Sequence, residues 1–146
     1  MMNKYMKILI PLLVMAAMLS SFELYADNDF AEKHVVLQIS DASQQTLVLN
    51  VANNLIKYYG PDKIAVEIVA FGPGLKLLFE NNEISSPRIN GLAANGITFS
   101  ACANTIAAIE RKSGKKPKIH KEAGVVPAGV VRIMELIDQG YTLIKP

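Results

Sequence analysis

Apolar and polar residues follow one another along this chain in a pattern that predicts strands and helices in turn. Apolar runs rich in β-branched residues predict buried strands over residues 34–40, 64–71, 97–101 and 141–144. Between them, apolar residues recur at helical spacing and predict helices over residues 41–60, 86–95, 103–113 and 130–140, with a short helix at 75–80 and a short strand at 118–121. Such alternation predicts an α/β domain in which helices flank a mostly parallel sheet of about five strands.

Capping and turn residues set the ends of the predicted helices. Asp41 and Gln44 have the spacing of a capping box at the start of the first helix. Residues 124–129 are expected to form a loop that leads into the last helix. That helix has a predicted apolar stripe of Val130, Val131, Met134 and Ile137, opposite Arg132, Glu135 and Asp138.

The N-terminal residues have the pattern of an export signal. Lys4 and Lys7 precede an apolar run over residues 8–19, which is too short to span a bilayer comfortably. Cleavage after Ala26 would leave one compact domain over residues 27–146, located in the periplasm or outside the cell and not in a membrane. Leu24 is larger than the small residue preferred at its position before the cut, so an uncleaved anchor is the alternative.

Composition argues against several classes of partner and cofactor. The whole chain has a formal net charge of +2, and this near balance indicates neither nucleic acid nor an anionic membrane surface as a partner. Basic residues crowd residues 111–121, where a solvated rim and a steering patch for an anionic partner are both open interpretations. One cysteine and two isolated histidines have no metal-ligand spacing, and the chain contains neither a GxSxG motif nor a phosphate-binding loop. We therefore expect no metal and no cofactor.

The single cysteine, Cys102, falls where a predicted strand passes into a helix. Free N–H groups in the first turn of that helix, on Ala103, Asn104 and Thr105, favour an anion, so the thiol is expected to ionise readily and to react. This interpretation requires a sulfur that solvent can reach. The alternative is that Cys102 is a small apolar filler, as buried free cysteines commonly are.

Sites in parallel sheets lie beyond the carboxyl ends of the strands, and other candidate residues fall there too. The turn after the second predicted strand contains Gly72 and Gly74, whose N–H groups could line the same pocket as the cysteine. A strand at 118–121 would bring His120 and Lys121 closer to that pocket. His120 is nevertheless interpreted as an exposed loop or strand residue and not as a general base.

Five short segments resemble, in order and spacing, the DsrE/DsrF-like family of small sulfur-relay proteins, close to its exported members. They are NVANN at 50–54, VAFGPGL at 69–75, GITFSACANT at 96–105, VPAGV at 126–130 and the ending at 139–146. The resemblance implies a three-layer, flavodoxin-like fold and assembly of identical copies into dimers, trimers or hexamers. It also implies a cysteine that carries sulfane sulfur as a persulfide, and Cys102 is the matching position.

Two functional hypotheses follow. The first is a sulfur carrier with sulfurtransferase-like activity that acts through Cys102 and exchanges sulfur with a thiol or persulfide partner protein. Characterised relay members are cytoplasmic whereas this chain is predicted to be exported, so the donor and the acceptor stay open. The second is a noncatalytic oligomeric module that binds a small ligand or a partner in the same cleft, with Cys102 serving only as packing.

Overall fold

The centre of the domain is a sheet of five parallel strands. The computed structural model describes residues 31–146, so the predicted signal peptide and its cleavage after Ala26 lie outside the described residues. The strands are β1 (Lys33–Ile39), β2 (Ile64–Ala70), β3 (Thr98–Cys102), β4 (Ala123–Val126) and β5 (Thr142–Ile144). They lie side by side in the order β4-β3-β2-β1-β5, and every neighbouring pair is parallel. The predicted α/β architecture is confirmed.

Four α-helices and two 3-10 segments connect the strands. The helices are α1 (Gln45–Tyr59), α2 (Ser86–Ala93), α3 (Ala103–Ser113) and α4 (Gly129–Asp138); the 3-10 segments are Ala42–Gln44 and Gly72–Leu78. Asp41 accepts a hydrogen bond from the Ser43 N–H at 2.7 Å, but Gln44 Oε1 accepts no hydrogen bond, so the predicted capping box is only half formed. Within residues 31–146, no helix combines the length and apolarity needed to cross a bilayer.

The two faces of the sheet are covered unequally. Alternate strand residues such as Leu37, Ile68 and Phe99 belong to a large core shared with α1, α2, α3 and the second 3-10 segment. On the opposite face, Val36 and Val69 pack against Ile133 and Leu136 of α4. A single helix therefore covers the second face.

The order of the strands explains why α4 lies apart from the other helices. From β1 to β4 the chain advances across the sheet in one direction, with its helices on one face. To place β5 on the far side of β1, the chain must travel back, and a right-handed connection in that direction runs over the opposite face. Adjacent strands β3 and β4 therefore send their helices to opposite faces. This arrangement opens a crevice beyond the carboxyl ends of these two strands.

The predicted apolar stripe of the last helix is wrong. Ile133 and Leu136 are the apolar side chains that α4 buries, at 5% and 1% exposure. The predicted stripe lies outside, with exposures of 43–60%: Val130, Val131, Met134 and Ile137. Apolar residues occupy both the buried side of α4 and much of its exposed side, so the apolar pattern alone does not fix its rotation. The rotation observed directs Arg132 at Glu67 in the sheet.

Two other local predictions are corrected. The fourth strand is β4, not residues 118–121, which make only an isolated antiparallel bridge between Ile119 and Phe79. β4 is a four-residue edge strand with Gly124 and Val125 exposed. A strand of this kind does not require a long run of apolar residues, and the sequence contains none there. The short helix predicted at 75–80 is the 3-10 segment Gly72–Leu78, which begins directly after β2.

A substitution at Gly74 tests how closely the 3-10 segment Gly72–Leu78 packs on the end of β1. A Cβ at Gly74 would lie 2.6 Å from the Ile39 carbonyl carbon and 2.8 Å from the Ser40 nitrogen, both backbone atoms. We expect Gly74→Ala to lower the free energy of unfolding by about 1–3 kcal/mol, measured by urea denaturation. Gly91→Ala is the control, because no atom lies within 4 Å of its added Cβ apart from its chain neighbours and the backbone of α2 itself. The control should stabilise by up to about 1 kcal/mol; equal losses in both variants would contradict this packing.

Candidate functional site

The cysteine lies at the crevice between β3 and β4. Cys102 is the last residue of β3, pairs with Val126 at the end of β4, and is the N-cap residue of α3. Its backbone is extended, with φ −71° and ψ 116°, so side chains still alternate across the sheet at this point. Ala101 belongs to the core under α3, and Cys102 therefore points to the face that α4 covers.

Hydrogen bonding from four donor groups favours the thiolate form of Cys102. Burial is the largest single influence and opposes ionisation, but these bonds together outweigh it and lower the pKa of Cys102. In decreasing order of effect, the donors are the Thr105 hydroxyl and the backbone N–H groups of Gly129, Thr105 and Asn104. The sulfur thus has donors suited to a thiolate, which is the nucleophilic form of cysteine.

The most effective donor, the Thr105 hydroxyl, is itself held in place. The Gly72 N–H donates to Thr105 Oγ1 at 3.0 Å, which leaves the hydroxyl hydrogen free to point at the sulfur. Gly72 has φ +53°, a conformation that favours glycine and that starts the turn after β2. The turn after β2 therefore orders a side chain in the first turn of α3.

The Gly129 donor comes from a second helix. Gly129 is the first residue of α4 and is buried, and a Cβ built on it would lie 2.9 Å from Cδ1 of Phe71. Glycine thus allows the start of α4 to pack closely on the end of β2. The N-termini of α3 and α4 both face Cys102, and each helix start favours negative charge.

Cys102 is less accessible than the chemical interpretation of the sequence expected. Cys102 is 5% exposed, whereas the chemical interpretation of the sequence needed a sulfur that solvent could reach. Beside it, a cleft of about 340 Å³ runs between β3, β4 and α4. The cleft is lined by Ser100, two residues before Cys102, by Val126, its partner across the strand pair, and by Ala128 at the start of α4. The cleft therefore ends close to the thiol.

The remaining candidates take other positions. Ala103 begins α3 but is not among the donors to the sulfur, and Gly74 is packed against the end of β1. His120 is 5% exposed, not exposed as predicted. Its Nδ1 accepts from the Glu122 N–H at 3.2 Å and its Nε2 lies 2.9 Å from the Ser86 hydroxyl. His120 lies in the loop before β4, at the amino ends of the strands, whereas Cys102 lies at the carboxyl end of β3. Neither His120 nor Lys121 therefore approaches Cys102.

Sequence reasoning missed a polar network beneath α4. Glu67 in β2 is 3% exposed and accepts hydrogen bonds from Arg132 of α4 and Ser100 of β3. Pairing with Glu67 raises the pKa of Arg132 further above its ordinary value. Glu67 is the one acidic residue in an otherwise apolar strand. Because a buried charge needs a partner, this residue was the signal in the sequence that could have indicated the network. Gly129 as a donor was missed as well, because residues 124–129 were interpreted as a loop.

The same part of the chain contains no constellation for a metal ion. Among residues 31–146, no group of three or more His, Cys, Asp or Glu side chains is arranged to hold one. The groups at the sulfur itself are a thiol, a hydroxyl and backbone N–H donors. These suit a reaction at sulfur, or the binding of a small anion.

Comparisons with known proteins support the fold. No family model matches the chain, and no curated protein matches it. Among solved structures, it is similar to MTH1491 from Methanobacterium thermoautotrophicum, a protein of unknown function. The two share 27% sequence identity with a TM-score of 0.68, over 78% of this chain and 99% of that one. The likeness covers the α/β domain and says nothing about chemistry.

Ionisation of Cys102 should depend on the Thr105 hydroxyl. We expect Thr105→Val to move the midpoint of alkylation against pH upward, because the thiolate loses its most effective donor. A hydrogen bond to a charged group contributes about 1.5 kcal/mol or more, which is about ten-fold in the thiolate fraction below the midpoint. The greater basicity of the variant thiol offsets part of this loss in the labelling rate.

Two matched variants control this measurement. Thr105→Ser keeps the hydroxyl and should keep the midpoint. Ser113→Ala removes a hydroxyl that bonds to the Ile109 carbonyl near the other end of α3, and it should also leave the midpoint unchanged. An unchanged midpoint in Thr105→Val would rule out the hydroxyl as a donor to the sulfur.

Proposed function

We propose that this protein is a sulfur carrier that forms a persulfide on Cys102, with sulfurtransferase-like activity. The observation that carries the proposal is the convergence of donors from α3 and α4 on the only cysteine of the chain. A persulfide ion, like a thiolate, is an anion that such donors stabilise. The resemblance of five sequence segments to the DsrE/DsrF-like family supports the same conclusion.

The transfer needs no cofactor and no external oxidant. The Cys102 thiolate attacks the outer sulfur of a donor persulfide, R–S–SH, and a new S–S bond forms as the donor S–S bond breaks. R–S⁻ leaves with the electron pair of that bond, while the outer sulfur keeps its proton until the Cys102 persulfide ionises. In the second half, an acceptor thiolate attacks the terminal sulfur and the Cys102 thiolate leaves.

The hydrogen-bond donors at Cys102 also favour the step in which the Cys102 thiolate leaves. A thiolate of lowered pKa is a better leaving group, so the groups that lower the pKa of Cys102 favour release of sulfur to an acceptor. With Cys102 only 5% exposed, the donor must bring its outer sulfur to the thiol along the cleft between β4 and α4, or the first turn of α4 must move. Because access is narrow, we infer small persulfides or the extended end of a partner chain as reactants.

A second function is favoured by two observations, the burial of the thiol and the exposed outer side of α4. In this alternative the protein is a noncatalytic module of several copies that binds a small ligand or partner, and Cys102 is packing. Val130, Met134 and Ile137 recur at helical spacing on α4 and are 43–60% exposed. A continuous apolar surface of this kind is typical of a protein contact. Assembly of copies is compatible with both functions.

The relay predicts a sulfur adduct on the folded protein. After incubation with polysulfide and removal of excess reagent, the intact mass should increase by one sulfur atom, and a reducing thiol should reverse the increase. Because the chain contains a single cysteine, Cys102→Ser should show no reversible adduct. A thiol that takes up sulfur or an alkylating agent only after unfolding would contradict the relay and support the binding module.

Self-assembly is tested separately. We propose that identical copies associate through the outer side of α4, and sedimentation at micromolar concentration should then show a dimer or larger species. Met134→Glu places a charge on a side chain that is 60% exposed, so it should dissociate the assembly without unfolding the domain. Tyr58→Glu, on α1 at 82% exposure, is the control and should change nothing. A monomer in the unmodified protein would contradict the proposal.

A further inference from the structure

Glu67 is a carboxylate buried in the middle of β2, a strand whose other six residues are apolar. Both of its oxygens have partners. Arg132 donates from Nε to Oε1 at 2.9 Å and from Nη2 to Oε2 at 2.7 Å, and Ser100 donates its hydroxyl to Oε1 at 2.6 Å. The pair is bidentate, a geometry that fixes orientation as well as distance.

Arg132 belongs to the first turn of α4. Its backbone N–H donates to the Ala128 carbonyl at 3.0 Å and so closes the turn that begins at Gly129. The side chain of that same residue reaches down to the sheet, where it meets Glu67. Arg132 thus links Glu67 on β2 to the turn of α4 that contains the Gly129 N–H.

Apart from the close approach of Gly129 to Phe71, the other contacts hold α4 less specifically. Its buried apolar side chains, Ile133 and Leu136, lie in the second and third turns, and apolar packing has no directional preference. Because the outer side of α4 is also apolar, packing alone does not select the observed rotation. A hydrogen bond from the Gly129 N–H to the sulfur, in contrast, weakens steeply when its angle or distance changes.

We propose that the Glu67–Arg132 ion pair is a positioning device for the thiol, which fixes the first turn of α4 so that the Gly129 N–H faces Cys102. The pair acts through the helix and not by contact with the sulfur, since the influences on Cys102 are burial and hydrogen bonds, without a charged side chain. The inference rests on the proposed role of Cys102. Its test measures ionisation of the thiol and not transfer of sulfur, so the two proposals can fail separately.

The charged groups around this network are few. Glu135 lies 3.6 Å from Arg132 Nη1 on α4, and Glu122 lines the cleft from the segment before β4. The charges of α3, on Glu110, Arg111 and Lys112, lie at its opposite end from Cys102. Glu67 and Arg132 are therefore the charges whose removal separates a positional effect from a direct electrostatic one.

The test compares the pH midpoint of Cys102 alkylation in Glu67→Gln and Arg132→Gln. If the pair positions α4, both variants lose the Gly129 donor and both midpoints move upward. If the charges act directly through space, the midpoints move in opposite directions: loss of Arg132 raises the midpoint and loss of Glu67 lowers it. Opposite shifts, or no shift in either variant, would overturn the proposal.

Arg132→Lys provides a milder variant if either of these fails to fold. It retains the positive charge but loses the bidentate geometry, so positioning predicts an upward shift, whereas a direct charge effect predicts none. Ser86→Ala is the control for general destabilisation, because it removes the hydroxyl that bonds to buried His120 at the other end of the strands. Its midpoint should equal that of the unmodified protein; an equal shift in this control would also overturn the proposal.

Discussion

The reversal of the chain after β4 is the constraint on which the candidate site depends. Three helices follow one another along one face of the sheet, and α4 must return over the other face to place β5 beside β1. Two helices consequently start at adjacent strand ends and direct their first N–H groups into one crevice. The last residue of β3 lies at that crevice, and it is Cys102. The topology thus supplies donors from both sides of the sheet to one side chain.

Burial and hydrogen bonding oppose each other at this sulfur. Removing the thiolate from water disfavours the charge, whereas the Thr105 hydroxyl and three N–H groups stabilise it, and the donors prevail. The resulting thiol is activated but shielded, at 5% exposure. The proposed carrier would discriminate between reagents by shape, because only a reactant that fits the narrow approach would meet the nucleophile. For a sulfur carrier, this shielding would protect a persulfide from adventitious thiols and oxidants.

Local patterns predicted the parts of the structure that local interactions determine. The change from strand to helix at Cys102, the helix that ends at Gly114 and the turn at Gly72 all follow from neighbouring residues, and each was identified from the sequence. The rotation of α4 could not be identified in this way, because it brings Arg132 to a carboxylate that lies 65 positions away in the sequence. The Gly129 donor was missed for the same reason: its place depends on how α4 is held. β4 was missed because a short exposed edge strand has no distinctive apolar pattern.

The dependence of unfolding free energy on pH, compared between the unmodified protein and Cys102→Ser, tests the stabilised thiolate most directly. The folded protein has the lower thiol pKa, so between the folded and unfolded pKa values only the unfolded chain holds the proton. The unmodified protein should therefore gain stability over Cys102→Ser as the pH rises through this interval, with no further gain above the unfolded pKa. This advantage should be lost again as the pH falls through the folded pKa. A difference that stays constant with pH, or that shrinks as the pH rises, would contradict a thiolate stabilised at the two helix starts.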